Sequence, residues 1–215
     1  MVEKPVVIIG TGGMGRETLW ILQASGREVA GFVTSDEEQH GTTVEGAHVH
    51  GSEDRLVGWQ GVEAVCAIGD PRHRRRVTQM LESEGVRFTS AIHPSAVISP
   101  YARLGDGCIV CPGVVITTQV RLGAHVIVNV HASISHDACV DDFATIGPGA
   151  RITGGGYLEA GAEMGVSAAV LPRKKVGSGA VVGAGAVVLD DIPANAVAVG
   201  VPAKVIRQFA EDEWF

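Results

Sequence analysis

Residues 128–152 read VNVHASISHDACVDDFATIGPGARI, and the spacing within this stretch decides the fold. An aliphatic residue returns every sixth position, at Val128, Ile134, Val140, Ile146 and Ile152. Alanine stands four residues after each of the first four, at Ala132, Ala138, Ala144 and Ala150. Carried outward, the same phase runs unbroken from Ile92 to Val188, seventeen positions in all, with further small residues at Ala96, Ala102, Cys108, Ala162, Ala168, Ala180 and Ala186. A fixed period sustained this long is the mark of a solenoid. A period of six predicts a parallel β-helix in which each hexad gives one short strand and one turn. Three hexads then close a coil, so the series makes between five and six coils. Pro172-Arg173-Lys174-Lys175 reads as an outward loop, because Lys174 falls where a small inward residue is expected.

Residues 1–90 follow a different grammar. Val6-Val7-Ile8-Ile9 is a buried-strand signal, followed by Gly10-Thr11-Gly12-Gly13-Met14-Gly15 and a helical pattern from Arg16 to Ala24. Val29 to Val33 and Ala64 to Ile68 read as further strands, and Pro71 suits the first turn of a helix reaching Glu84. Strands alternating with helices imply a parallel sheet. The chain therefore divides into a small Rossmann-like domain over 1–90, a β-helix over 91–204, and a helical tail over 205–215.

Composition narrows the function classes. The formal charge is −7 with a pI near 5.6, which argues against non-specific nucleic-acid binding despite Arg72, Arg74, Arg75 and Arg76. The mean hydropathy of +0.23 reflects Val and Ala of the repeat, and no stretch approaches the ~20 apolar residues of a spanning helix. The N-terminus enters a strand without signal-peptide anatomy, so a cytoplasmic setting with reduced cysteines is expected. Of Cys66, Cys108, Cys111 and Cys139, the pair Cys108 and Cys111 lacks a second pair for zinc, and Cys108 fills an inward slot of its hexad.

The repeat also sorts the polar residues. His136 is the third residue of the hexad that starts at Ile134, a turn position, so its imidazole faces outward, with Asp137 directly after it. A carboxylate beside a histidine orients the ring and stabilises its protonated form. Such a pair can take a proton from an incoming amine or hydroxyl, although a surface histidine in a turn has the same spacing. His131 and His136 also form an H-x4-H pair, but two coils before His131 stands Ser95, so a third zinc-ligating histidine is missing. No metal is expected. Gly10-x-Gly12-x-x-Gly15 after a strand fits a phosphate-binding turn at a helix N-terminus, and Val33-Thr34-Ser35-Asp36 ends the next strand only loosely in the dinucleotide pattern. The domain is short for a dinucleotide, which leaves a mononucleotide or a purely structural turn.

Taken together, these pieces resemble the sugar O- and N-acyltransferases of the sialic-acid O-acetyltransferase type. That family includes bacterial enzymes that N-acetylate UDP-4-amino-6-deoxy sugars and GDP-perosamine. The resemblance is carried by Asn129, by Ile134 through Asp142, by the ending Gly200-Val201-Pro202-Ala203-Lys204, and by the N-terminal Gly10-Thr11-Gly12-Gly13, Ala67-Ile68-Gly69 and Arg74. It implies a left-handed β-helix and a homotrimer with active sites between subunits. By similarity His136 is the general base and Asp137 its partner. Asn129, Thr145, Gly154, Val166 and Ala184 would lie along acetyl-CoA, the co-substrate. Gly12, Gly13, Gly69 and Arg74 would face a nucleotide-linked sugar, with Thr34, Ser35 and Asp36 near the base. Some members carry a second histidine where this chain has Thr145, and paired acids where it has Thr34-Ser35. The activity this implies is N-acetylation of a nucleotide-linked amino-deoxy sugar in bacterial surface-glycan synthesis. O-acetylation of sialic acid or another sugar, or a non-catalytic nucleotide-binding trimeric scaffold, are the alternatives.

Overall fold

The computed structural model of the chain describes residues 4–210. These fall into two units. One runs through Pro94 and includes Asp106–Ile109; the other comprises Ser95–Gly105 and everything from Val110 onward.

The first unit is built on a three-stranded parallel sheet. β1 (Val6–Ile9) lies in the centre, flanked by β2 (Val29–Val33) and β3 (Glu63–Cys66). All four residues of β1 are fully buried, as expected of a parallel strand covered on both faces. Two helices accompany the sheet: α1 (Gly13–Ala24) and α2 (Pro71–Ser83). The core joins Val7, Ile9, Val33, Ala64 and Cys66 to Val77 and Leu81 of α2. The glycine turn between β1 and α1 has two steric causes. Gly10 sits at φ +97°, and a Cβ on Gly15 would stand 2.0 Å from the carbonyl oxygen of Gly10. Between β2 and β3 the sequence pattern gave no signal, yet the structure forms a two-stranded hairpin of Thr43–Val44 and Ala47–His48 and two short 3-10 turns.

The second unit is a left-handed parallel β-helix of about six turns. Strand partners such as Val115 and Ser133 lie 18 residues apart, so one coil is three hexads. Three flat faces result. Two of them carry sheets of six and five strands, the first spanning Val97–Ile98 to Val187–Val188 and the second Arg103–Leu104 to Lys175–Val176. The aliphatic ladder from Ile116 to Val188 is buried, as are Ala132, Ala138, Ala144, Ala150, Ala162, Ala168, Ala180 and Ala186. Cys108 lies in the core as its slot required.

From Leu104 to Val182 each hexad turns through a residue of positive φ three places after its inward aliphatic: glycine in half of them, and Gln119, His125, His131, Asp137, Phe143, Ser167 and Arg173, all between 56° and 62°, in the others. The turns stack into three corners. Residues 117–120, 135–138, 153–156 and 171–174 form the first; 123–126, 141–144 and 159–162 the second; 129–132, 147–150, 165–168 and 183–186 the third.

Two expectations are corrected. Pro172–Lys175 is no protruding loop: Pro172 and Arg173 make an ordinary corner, and Lys175 begins the strand Lys175–Val176. Lys174 is accommodated because its slot remains only partly covered, while its backbone carbonyl accepts from the Tyr157 N–H at 2.9 Å. The tail is not helical where it is described. Lys204–Gln208 is a strand, antiparallel to Ala196–Val199, in which β-branched Val205 and Ile206 continue the open sheet edge. Residues 211–215 of the expected helix lie outside the described residues.

Candidate active site

The first corner brings His136 and Asp137 to the two tip positions of one turn, both well exposed. The His136 Nδ1 lies 2.8 Å from Asp137 Oδ2. An ionised carboxylate only accepts, so Nδ1 is the donor in this contact, and in the neutral ring Nε2 is the acceptor nitrogen. Asp137 occupies the left-handed region at φ +62°, which aspartate tolerates better than most residues. One coil on, Gly154 lies beside the ring: a Cβ there would stand 2.5 Å from His136 Cε1 and 2.6 Å from Nε2. Glycine at 154 thus creates the space the imidazole occupies. His136, Asp137, Gly154, Gly155, Pro172 and Arg173 line a cleft of ≈ 220 Å³.

The residues expected along acetyl-CoA do not all gather here. Asn129, Val166 and Ala184 belong to the third corner, where Val166 and Ala184 are exposed and Asn129 Nδ2 donates to the Ile146 carbonyl at 3.0 Å. Thr145 stands half-buried on the strand Thr145–Ile146, on the face that leads into that corner. His131 also lies on the third corner, apart from His136, so the H-x4-H pair is split between two edges. Among the described residues no group of three His, Cys, Asp or Glu side chains could hold a metal ion.

Cysteine nucleophiles fare no better. Cys108 and Cys111 are fully buried, and burial pushes the Cys66 thiol up to about 11. Cys139 is half-buried, its Sγ 3.9 Å from Asp141 Oδ1 rather than near a base. That carboxylate also accepts from the Tyr157 hydroxyl at 2.5 Å, and this bond, more than burial, raises the phenol to about 12.

The first unit holds a second, larger cavity of ≈ 630 Å³. Gly12, Gly13, Thr34, Ser35, Asp36 and Gly69 all line it. Gly12 caps α1 without a side-chain hydrogen bond, so the first-turn N–H groups border a pocket suited to an anion. The Asp36 carboxylate is partly engaged: it accepts from the Glu38 N–H at 3.2 Å and from Gln39 Nε2 at 2.5 Å.

Arg74 does not line this pocket. Its side chain is fully buried, and Nη1 donates to the carbonyls of Ile68 and Gly69, both at 2.8 Å. Arg74 therefore braces the wall that Gly69 presents, a correction to its expected place against the ligand. Arg16, Gln39, Glu53 and His73 also line the cavity and were not anticipated. Glu53 comes from a segment without periodicity, whereas His73 could have been read from its place in the first turn of α2.

No helix among the described residues is long and apolar enough to cross a membrane. The PglD N-terminal domain family matches residues 5–81. A point mutant of perosamine N-acetyltransferase from Caulobacter crescentus, solved with CoA and GDP-perosamine, superimposes with a TM-score of 0.90 at 36% identity, over 95% of this chain and 97% of that one. The acetyltransferase domain of PglB from Neisseria gonorrhoeae, in complex with acetyl coenzyme A, matches at 0.89 and 32% identity over 95% and 100% of the two chains. A curated relative, 2,3,4,5-tetrahydropyridine-2,6-dicarboxylate N-acetyltransferase of Staphylococcus aureus, is 46% identical over 48 residues. That match spans 22% of this chain and 20% of the relative's length.

Proposed function

The chain belongs to the hexapeptide-repeat family of sugar acyltransferases, and on that premise we propose that it transfers the acetyl group of acetyl-CoA to the amine of a nucleotide-linked amino-deoxy sugar. The observation that carries the reading is the exposed His136–Asp137 pair, seated against Gly154 at the head of an open cleft. The ligands named for the perosamine N-acetyltransferase, CoA and GDP-perosamine, support this choice of donor and acceptor.

The chemistry is direct transfer. The sugar amine attacks the thioester carbonyl while His136 Nε2 takes its proton, and Asp137 stabilises the imidazolium. The tetrahedral intermediate then collapses, the C–S bond breaks, and the proton on His136 goes to the departing CoA sulfur. The glycine-lined groove supports the thioester, with backbone N–H groups near Gly154 and Val166 polarising its carbonyl. Gly12, Gly13 and Gly69 face the nucleotide, with Thr34, Ser35 and Asp36 near its base.

Because His136 and Gly154 lie on one corner while Asn129, Val166 and Ala184 lie on another, one acetyl-CoA meets both sets when a second solenoid sets its third corner against the first. A homotrimer with three such sites satisfies this arrangement, in a cytoplasmic enzyme that supplies surface-glycan precursors. We divide the chain functionally into a sugar-nucleotide domain over 1–90 and an acyltransferase domain over 91–204.

The test is an acceptor panel with acetyl-CoA, following free thiol and product mass. Nucleotide-linked amino sugars, GDP-perosamine among them, should gain one acetyl group on nitrogen. Acetylation of free sialic acid with none on amino-sugar nucleotides would overturn the reading. CoA release from no acceptor, with no calorimetric binding of CoA, would indicate a scaffold.

A further inference from the structure

Four side chains around the glycine-lined cavity of the first unit are titratable: Arg16, Asp36, Glu53 and His73. Arg16 and Asp36 are already engaged. Arg16 Nε lies 3.7 Å from Glu45 Oε1, and Asp36 accepts from the Glu38 N–H and the Gln39 amide. Glu53 differs. It is half-buried, and among the described residues its carboxylate has no hydrogen bond or ion pair. A carboxylate without donors is a poor wall for a cavity assigned above to a nucleotide, because it repels the diphosphate. It favours binding only where the ligand brings donors to it, since an ionised carboxylate can do nothing but accept.

The chain path puts Glu53 at one end of the cavity. Glu53 opens the 3-10 turn Glu53–Leu56, two residues past Gly51. The Gly51 carbonyl accepts from the Thr34 N–H at 2.8 Å, and the His50 N–H donates to the Phe32 carbonyl at 2.8 Å. These bonds tie the segment to the end of β2, where Thr34, Ser35 and Asp36 face the base in the acceptor reading. Leu56, the last residue of the turn, is 3% exposed and belongs to the core with Val77 and Leu81 of α2. The turn is therefore held on both sides, and Glu53 is presented from a fixed backbone. Gly12 and Gly13 lie instead at the N-terminus of α1, which suits the phosphates.

The edge of the base decides which nucleotide supplies the donors. Guanine offers two adjacent ones, N1–H and the 2-amino group, and the two oxygens of one carboxylate accept both. Uracil and thymine offer one N3–H between two carbonyl oxygens, which a carboxylate repels. Adenine and cytosine offer one amino group beside a ring-nitrogen acceptor. We infer that Glu53 selects the base of the nucleotide-linked acceptor, and that the base is guanine. The inference rests on the acceptor reading given above and narrows it.

The test is calorimetry of the chain and of Glu53→Gln with GDP, IDP, UDP, dTDP, ADP and CDP, with melting curves on both proteins. Wild type should bind GDP about tenfold or more tightly than each of the others, IDP included, because hypoxanthine lacks the 2-amino group. Glu53→Gln should weaken GDP about 10–100-fold, on the order of hydrogen bonds to a charged group, and move UDP by less than about twofold. The wild-type comparison of GDP with IDP stands even where the variant melts early. Tighter binding of any other nucleotide by wild type would overturn the assignment. An equal loss for every nucleotide in a folded variant would overturn it too, since Glu53 would then hold the ribose. So would a GDP preference that survives the substitution. A guanine preference that needs Glu53, in a protein that acetylates no nucleotide-linked sugar, would support the inference while removing the acceptor reading. Binding of no nucleotide would remove both.

Discussion

The cavity of the first unit and the histidine corner of the solenoid both depend on glycine, for opposite reasons. At the β1–α1 turn, Gly10 and Gly15 let backbone approach backbone, and the pocket that results is walled by several separate segments. At the corner, Gly154 lets a side chain approach backbone, and the neighbourhood is fixed by a coil that repeats every 18 residues. The first arrangement suits holding a ligand by its phosphates. The second suits presenting one imidazole at a defined distance from a second substrate. On the proposed function, binding and chemistry rest on different parts of the chain, and substitutions should separate them.

The largest effect short of removing the base is expected at Gly154→Ala. A Cβ placed 2.5 Å from His136 Cε1 forces the ring aside, and a displacement of about 1 Å at the reacting group costs on the order of 10²-fold in kcat. Steady-state kinetics should show that loss with little change in acceptor KM. Asp137→Ala should lower kcat by about tenfold, because the ring then loses both its orienting acceptor and the charge that stabilises the imidazolium. Arg74→Met should act on the other region. It leaves the carbonyls of Ile68 and Gly69 without their donor, raising acceptor KM and lowering stability by about 1–3 kcal/mol, with acetyl-CoA KM unaffected.

Asp70 gives the smallest effect. Its side chain caps α2 by accepting from the His73 N–H at 2.8 Å. Partial burial pushes its carboxyl up, but hydrogen bonds from Arg72 and His73 outweigh burial and hold it below its ordinary value. A lowered folded-state value means the contribution is present above the unfolded value and lost as pH falls through the folded one. Asp70→Ala should cost about 1 kcal/mol near neutrality, and the difference from wild type should shrink in acid melts.

The two regions also differ in what their residues disclose beforehand. Phase alone put His136 on an outward turn and Cys108 in the core, because an 18-residue coil is a coordinate system. The same arithmetic separates Val166 from His136: 30 residues is not a multiple of 18, so they fall on different corners. The α/β unit has no such ruler. Its glycine turn was readable as a motif, and Thr34, Asp36 and Gly69 were placed beside it by the family resemblance. The inward course of Arg74 was not, since it depends on two carbonyls in a preceding loop. The hairpin around Glu45 and Gly46 and the strand Lys204–Gln208 were likewise missed. Both form by pairing with segments that carry no repeat.

The central claim is that His136 acts as the base in acetyl transfer to a nucleotide-linked amine. Its most direct measurement is the acetylation rate of wild type and His136→Asn at saturating acetyl-CoA and amino-sugar nucleotide, with melting curves on both. The account predicts a kcat about 10²–10⁴-fold lower in the variant, at unchanged stability. A variant that folds normally and acetylates at the wild-type rate would contradict it.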